Sequence, residues 1–468
     1  MQKERYIAAI DFGSSKISLS VSTVSEEAID VAFAESAESE GVKSGMVVNA
    51  QKTAAVVKGL VEKAEEQLDI TISQVVVNLP RSFVRAQKTT FRTVRSNADA
   101  FITSEEIRNL TSMAEKDFDK NLHDDECVYK LLTQSFSLDE QFQVSEDEII
   151  GATGAEFEGH FIAFVGKKKA KNNIDKVFST LNTISVSRYY FTPAIESKYI
   201  VRDEDKEYGT ALIEIGGAVT SVSVYHKGVM QYYRSFNFGG SSITSDIQME
   251  CSLPVELSEN IKKAFGSCTP NGLATMADKV LQINNPTTGD SSSLPVKYLS
   301  EIISSRMKEI AQAALYLVAE SGYADKIKSG IILSGGGALL QGCASLFSSM
   351  SGLKTRVAFP GYFKTIQDCS QESMILAAAQ DRHVICAGHR VADNSGNLFA
   401  EQTVEETPVQ QTPVQEKPHI EKPQQPQSPA PKAKDTPKKE KHKGFSGFIG
   451  NIFDTFYDNV GENGDDNK

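Results

Sequence analysis

Ala8-Ala9-Ile10-Asp11-Phe12-Gly13-Ser14-Ser15-Lys16-Ile17-Ser18-Leu19-Ser20-Val21 stands near the start of the 468-residue chain. An apolar run ends in an acid, a glycine-serine turn and a lysine. Strict apolar/polar alternation then leads away, which is the pattern of a β-hairpin. A tip made of Gly13, Ser14 and Ser15 presents bare backbone N–H groups on which a phosphate can rest without side chains in the way. Asp11, before the turn, is placed to hold a hydrated Mg²⁺, and Lys16, after it, to set a fixed positive charge against a terminal phosphate. Alone, such a stretch reads more often as an ordinary turn.

A second stretch raises its weight. Thr210-Ala211-Leu212-Ile213-Glu214-Ile215-Gly216-Gly217-Ala218-Val219-Thr220-Ser221-Val222-Ser223-Val224-Tyr225 repeats the order of apolar strand, acid, apolar residue, glycine turn and alternating strand, position for position. An internal repeat of this kind is weighed before any local feature. A third cluster, Gly330-Ile331-Ile332-Leu333-Ser334-Gly335-Gly336-Gly337-Ala338-Leu339, reads as a buried strand, a glycine turn and a helix start. Naked backbone and a helix N-terminus so arranged suit a nucleotide, and suit a tightly packed strand-to-helix turn as well.

The formal net charge of −12 argues against nonspecific nucleic-acid binding by the whole molecule. No run of eighteen apolar residues appears, and the N-terminus enters a strand without a signal-peptide pattern. Six cysteines carry no C-x-x-C pair, and the seven histidines no metal-ligand spacing. They read as thiols and imidazoles of a reducing cytoplasm.

Periodicity divides the chain. Residues 1–81 hold the first hairpin, a third strand near 28–34, a helix at 53–68 and an apolar strand at 75–79. The texture changes over 82–166, with a helix at 104–118 and strands near 129–136 and 159–165, and reads as an inserted small α+β subdomain. Residues 167–200 return to the first domain, and 201–388 form the second, including helix starts at 238–244 and 256–264 and a long helix at 296–320. The Gly, Asn, Pro and Ser-rich segment 269–294 reads as a surface excursion.

Past residue 388 the globular pattern stops. Eight of the fifteen prolines fall between Val391 and Lys443 among Gln, Glu and Lys, a composition that cannot bury enough apolar surface to offset its ordering entropy. Residues 389–443 are thus expected to be a disordered linker. Phe445, Phe448, Ile449, Ile452, Phe453, Phe456 and Val460 then recur on one helical face over 444–461. A helix with no core to join is expected to lie in a membrane interface, with lysines 432–443 drawn to anionic lipid, or to dock in a protein groove.

Three glycine elements in this order resemble the phosphate 1, phosphate 2 and adenosine motifs of the actin-like ATPase superfamily. Within it, the insert's position and the tail resemble the FtsA family of bacterial cell division. Gly41-Val-Lys-Ser-Gly-Met-Val-Val-Asn and Ser258-Glu259-Asn260-Ile261-Lys262-Lys263-Ala264-Phe265-Gly266 are similar to FtsA segments, the second to one beside the adenine. The resemblance implies a two-domain actin-like α/β fold with an inserted α+β subdomain called 1C (SHS2-like), a subdomain 2B near 240–320, a disordered linker and a C-terminal amphipathic helix. It implies ATP and Mg²⁺, with Asp11, Gly13, Ser14, Ser15, Lys16, Glu214, Gly216, Gly217, Glu259, Lys262, Lys263, Gly335, Gly336 and Gly337 at the nucleotide, and Asp11 and Glu214 on the metal through water. It further implies self-association into filaments, the FtsZ C-terminal peptide and other division proteins as partners, no nucleic acid, and a peripheral place on the cytoplasmic face of the inner membrane at the septum.

One departure matters. The family's phosphate 2 pattern is roughly D-I-G-G-G-T-T-D, whereas Glu214, Ala218, Val219 and Ser221 stand here at four of its positions. Mg²⁺ demands strict distances, so weak or absent hydrolysis is expected. The alternatives are a PilM-like protein of pilus assembly, which leaves the tail helix unexplained, a sugar-kinase-type enzyme, for which no base is evident, and a chaperone-like ATPase.

Overall fold

The computed structural model describes residues 5–25, 28–140, 143–273, 276–284, 291–358 and 369–389. The linker expected over 389–443, apart from His389, and the amphipathic helix expected over 444–461 lie outside the described residues.

The duplication seen in the sequence is a duplication of sheets. Among the described residues, Arg5–Phe12 pairs antiparallel with Lys16–Val24, which pairs antiparallel with Ile29–Glu38. On its other side Arg5–Phe12 runs parallel to Gln74–Asn78, and that strand parallel to Ser185–Tyr190. Thr210–Ile215 has the same neighbours in the same senses: Thr220–His226 and Val229–Phe236 antiparallel on one side, Ile331–Ser334 and Thr355–Val357 parallel on the other. Antiparallel neighbours follow from tight turns, and parallel neighbours from helical crossovers. The central strands are buried on both faces, with Ile7, Ala8, Ala9, Ile10 and Phe12 at 0–1% exposure, which is why they read as apolar runs.

The helix expected at 53–68 begins earlier, at Ala50, because Asn49 caps it: its Oδ1 accepts from Lys52 N at 3.1 Å. Thr53, Ala54, Val57, Leu60, Val61 and Ala64 are its buried face. The long helix spans Val296–Glu320 as its periodicity predicts, with Ile303, Met307, Ile310, Ala314 and Leu317 buried. The segment expected as a surface excursion contains more structure than its composition suggests. A short 3-10 turn at Pro270–Gly272 precedes paired strands Val280–Asn284 and Ser291–Pro295, with Ile283 and Leu294 buried.

Residues from 82 to 167 contain a separate antiparallel sheet, in which Glu156–Lys167 lies between Arg85–Val94 and Glu126–Leu138. Helix Ser104–Lys120 starts at Thr103, whose Oγ1 accepts from Glu106 N at 3.2 Å, and buries Ile107, Leu110 and Ala114. Ile107 and Leu110 cluster with Ile102, Phe136, Leu138, Ile149 and Phe157. An aromatic group joins this unit to the others: the Phe164 ring lies 4.9 Å from Phe191 and 5.6 Å from Tyr233, centroid to centroid.

The chain's last described elements depart from the expected division. Residues through 388 are expected in the second domain, yet Ala387–His389 pairs with both Arg5–Phe12 and Ile70–Ile72, and helix Cys369–Ala379 packs on Arg5–Phe12. Gln371 Nε2 donates to Ala9 O at 3.2 Å. Partners more than 300 residues away leave no local pattern.

Phe136 is fully buried and Met113 is 48% exposed on the same small unit. Phe136→Ala is expected to cost about 3–5 kcal/mol in urea unfolding, and Met113→Ala less than about 0.5 kcal/mol. Equal midpoints for the two variants would contradict this packing.

Candidate functional site

The two hairpins share one register. Asp11 sits opposite Ser18 and Phe12 opposite Ile17, while Glu214 sits opposite Ser221 and Ile215 opposite Thr220. Both turns therefore span the same four positions. A Cβ on Gly13 would meet Lys16 O at 2.6 Å, and one on Gly216 would meet Val219 O at 2.8 Å. Glycine is required at both for one steric reason.

The tips face each other. Ser15 Oγ abuts Gly217, where a side chain would collide with it, and lies 3.5 Å from Ser241 Oγ. Gly216 O accepts from Gly240 N at 2.9 Å and Gly217 O from Ser241 N at 2.7 Å, so the second tip is bound to the start of helix Gly240–Cys251. In the first tip, Ser14 Oγ accepts from Gly45 N at 2.8 Å, and Ser39 Oγ donates to Gly13 O at 2.9 Å. Lys16, just beyond it, is half-buried.

The third cluster closes on the second hairpin. Gly335 has φ 81 and ψ 167, a conformation open essentially to glycine, and a Cβ there would meet Ile215 O at 2.5 Å. Gly337 packs on the Ile215 side chain, and Gly336 is exposed with open space around it. The expected helix start is a 3-10 turn, Gly336–Leu339, and the α-helix begins only at Cys343. The positive φ at Gly342 separates the two.

Three expected ligand residues serve the protein's own framework. Lys262 is 6% exposed, and its Nζ donates to Gly240 O at 2.9 Å, Thr244 Oγ1 at 2.8 Å and Glu259 Oε2 at 2.6 Å. Burial lowers the Lys262 pKa, and Glu259 offsets this in part. Burial works against the Glu259 charge, but hydrogen bonds from Lys262 and Thr244 and the charges of Lys262 and Lys263 outweigh it, so its carboxyl titrates below the usual range. Lys263 is exposed and pairs with Glu259 at 3.2 Å. Lys262 thus braces the helix start that holds the second tip.

Glu214 is not an open metal ligand. It forms an ion pair with Arg81, whose Nη2 also reaches Glu196 Oε1 at 2.5 Å and Thr192 Oγ1 at 2.8 Å. Glu196 is 1% exposed, and its pKa is raised by burial, with the nearby Asp11 charge adding to the rise and Arg81 opposing it. Asp11 Oδ1 accepts from Ser370 Oγ at 3.3 Å, and the buried Asn78 Oδ1 accepts from Phe12 N at 2.8 Å. Among the described residues no three His, Cys, Asp or Glu side chains form a metal-binding group. Mg²⁺ placed on Asp11 and Glu214 does not fit these partners. Arg81, Glu196, Asn78 and Ser370 escaped the sequence reading because their partners are remote in the chain. The one local sign was an arginine directly after the apolar strand and Pro80.

Two sheets of one topology, joined at opposed glycine hairpins, define an actin-like ATPase fold. A solved PilM-PilN type IV pilus biogenesis complex shares it at a TM-score of 0.53 and 13% identity, over 81% of this chain and 99% of that one. The family model described as cell division protein FtsA matches residues 211–379. Cell division protein FtsA of Neisseria meningitidis serogroup B is 26% identical over 391 residues, 82% of this chain and 91% of that protein. FtsA of Enterococcus hirae is 26% identical over 360 residues, 77% and 79% of the respective chains. The chain is thus similar to cell division protein FtsA over most of its length.

The two neighbouring glycines Gly335 and Gly336 separate steric need from flexibility. Gly335→Ala is expected to destabilise by about 1–3 kcal/mol. Gly336→Ala, with nothing within 4 Å of its added carbon, is expected to change stability by less than about 0.5 kcal/mol. Denaturation midpoints check both, and equal costs would contradict the close approach of Gly335 to Ile215.

Proposed function

We propose that this chain is an ATP-binding, self-associating cell-division protein that tethers FtsZ filaments to the cytoplasmic face of the inner membrane at the septum and helps recruit later division proteins. The observation that carries the reading is the tip-to-tip meeting of two equivalent hairpins at Ser15 and Gly217, in a chain whose FtsA relatives align over most of their length. Gly13, Ser14, Ser15, Lys16, Gly216, Gly217 and Gly335–Gly337 line the nucleotide, with its phosphates against the opposed turns. ATP acts mainly as a conformational ligand that favours the polymerising arrangement of the two halves. Hydrolysis is weak or absent, because Glu214 is committed to Arg81 and the carboxylate of the family's motif is absent at Ser221.

The periodic apolar face over 444–461 supports the membrane part of the reading, and it sits behind a segment rich in proline and lysine. One short interfacial helix binds lipid only marginally, so attachment draws on many helices presented by one filament. The pilus-assembly alternative rests on fold likeness to PilM and gives no role to that apolar face.

Co-sedimentation with anionic vesicles tests the tether. The full chain is expected to pellet with the vesicles and to carry FtsZ filaments with it, while a chain ending at Lys443 leaves both in the supernatant. Equal pelleting of the two forms would overturn the proposal.

A further inference from the structure

We propose, resting on the nucleotide-binding reading above, that Lys262 is a positioning residue: through Gly240 it fixes the second glycine turn against the phosphates, and it touches neither the phosphates nor the nucleoside.

Lys262 lies on helix Val255–Phe265, and what it holds is the start of a different helix, Gly240–Cys251. That start is stacked on the second turn. A Cβ on Gly239 would collide with the carbonyl oxygens of both Gly216 and Gly217, so the two backbones are in contact. Two hydrogen bonds fasten them, from Gly240 N to Gly216 O at 2.9 Å and from Ser241 N to Gly217 O at 2.7 Å. Gly216 and Gly217 have no side chains of their own with which to fix their place. A ligand-binding turn of this kind keeps its geometry to within about 0.5 Å only when locked neighbours stand behind it.

Lys262 is such a neighbour. Its Nζ donates to the carbonyl oxygen of the same Gly240 at 2.9 Å. The other two donors go to Thr244 Oγ1 at 2.8 Å, one turn further along the braced helix, and to Glu259 Oε2 at 2.6 Å on its own helix. An ammonium has three N–H donors, so none is left for a ligand. At 6% exposure the side chain also offers almost no surface to one. The charge is matched by Glu259, so the effect on a phosphate is one of placement and not of added positive charge. A segment that resembles one beside the adenine thus acts here from behind the turn that meets the phosphates.

Amide exchange of the full chain without nucleotide reads the brace directly, because the Gly240 and Ser241 amides are the ones bonded to the second turn. Lys262→Met keeps a long apolar stem and removes all three donors. Exchange at these two amides is expected to rise about tenfold or more, with amides 13–16 unchanged. A folded variant with unchanged exchange at both would overturn the proposal. Calorimetric titration with ATP and with inorganic tripolyphosphate then separates positioning from contact. Lys262→Met is expected to lose about tenfold in affinity for both ligands alike. A loss confined to ATP would put Lys262 on the nucleoside, and undiminished affinity for both would make it a structural lysine only; either result overturns the proposal. Lys262→Gln, which keeps an amide donor, is expected to lose less than Lys262→Met, and an equal loss would count against a hydrogen-bonded brace. Where the methionine variant fails to fold, the glutamine variant is carried through the same two measurements. Lys263→Met removes the exposed neighbour, leaves Lys262 in place and is expected to stay within about twofold of wild type. A loss there as large as that of Lys262→Met would also contradict the assignment. Should wild type bind neither ligand, the nucleotide reading falls, while the exchange arm still decides whether Lys262 holds the second turn.

Discussion

Two turns too tight for any side chain set the geometry of this molecule. At Gly13 and Gly216 the hairpin folds back so closely that the carbonyl three residues on occupies the space of a Cβ. Both hairpins do this in one register. The sheets behind them share one order of strands, so placing one tip against the other also places two whole half-molecules. The inserted unit packs on both frames through Phe164, Phe191 and Tyr233, and the last described helix packs on the first.

The ionic centre between the frames is the second constraint. Burial and the nearby Asp11 charge work against the ionised form of Glu196, and Arg81 works for it. Breaking such a buried pair by removing one partner typically costs about 3–5 kcal/mol. The guanidinium also spans from helix Thr192–Ile200 to strand Thr210–Ile215, so the same contacts that balance charge tie the first sheet's layer to the second sheet. Structure and cleft chemistry are therefore coupled through a single side chain.

Much of this was legible in the sequence, for identifiable reasons. Hairpins announce themselves through period-two alternation around glycine, and the repeat of Ile10-Asp11-Phe12-Gly13 in Ile213-Glu214-Ile215-Gly216 needs no tertiary information. Helix Val296–Glu320 was legible because its buried face runs unbroken for six turns. Helix starts were less so: Asn49 sets one by a side-chain hydrogen bond, while the helix at Lys168 has no side-chain cap to mark it. The return of Ala387–His389 to the first sheet is three residues of pairing with strands over 300 positions away, and no local window contains it. Lys262 illustrates a different limit: its segment resembles one that lies beside the adenine, and only burial among Gly240, Thr244 and Glu259 shows where its donors go.

Convergence of three separated turns on one nucleotide is the central claim, and hydrogen–deuterium exchange of the full chain with and without ATP tests it most directly. Amides at 13–16, 216–217 and 335–337 are expected to gain protection together and to saturate at one ATP concentration. Protection confined to one of the three turns, or saturating at different concentrations in each, would contradict a single shared site.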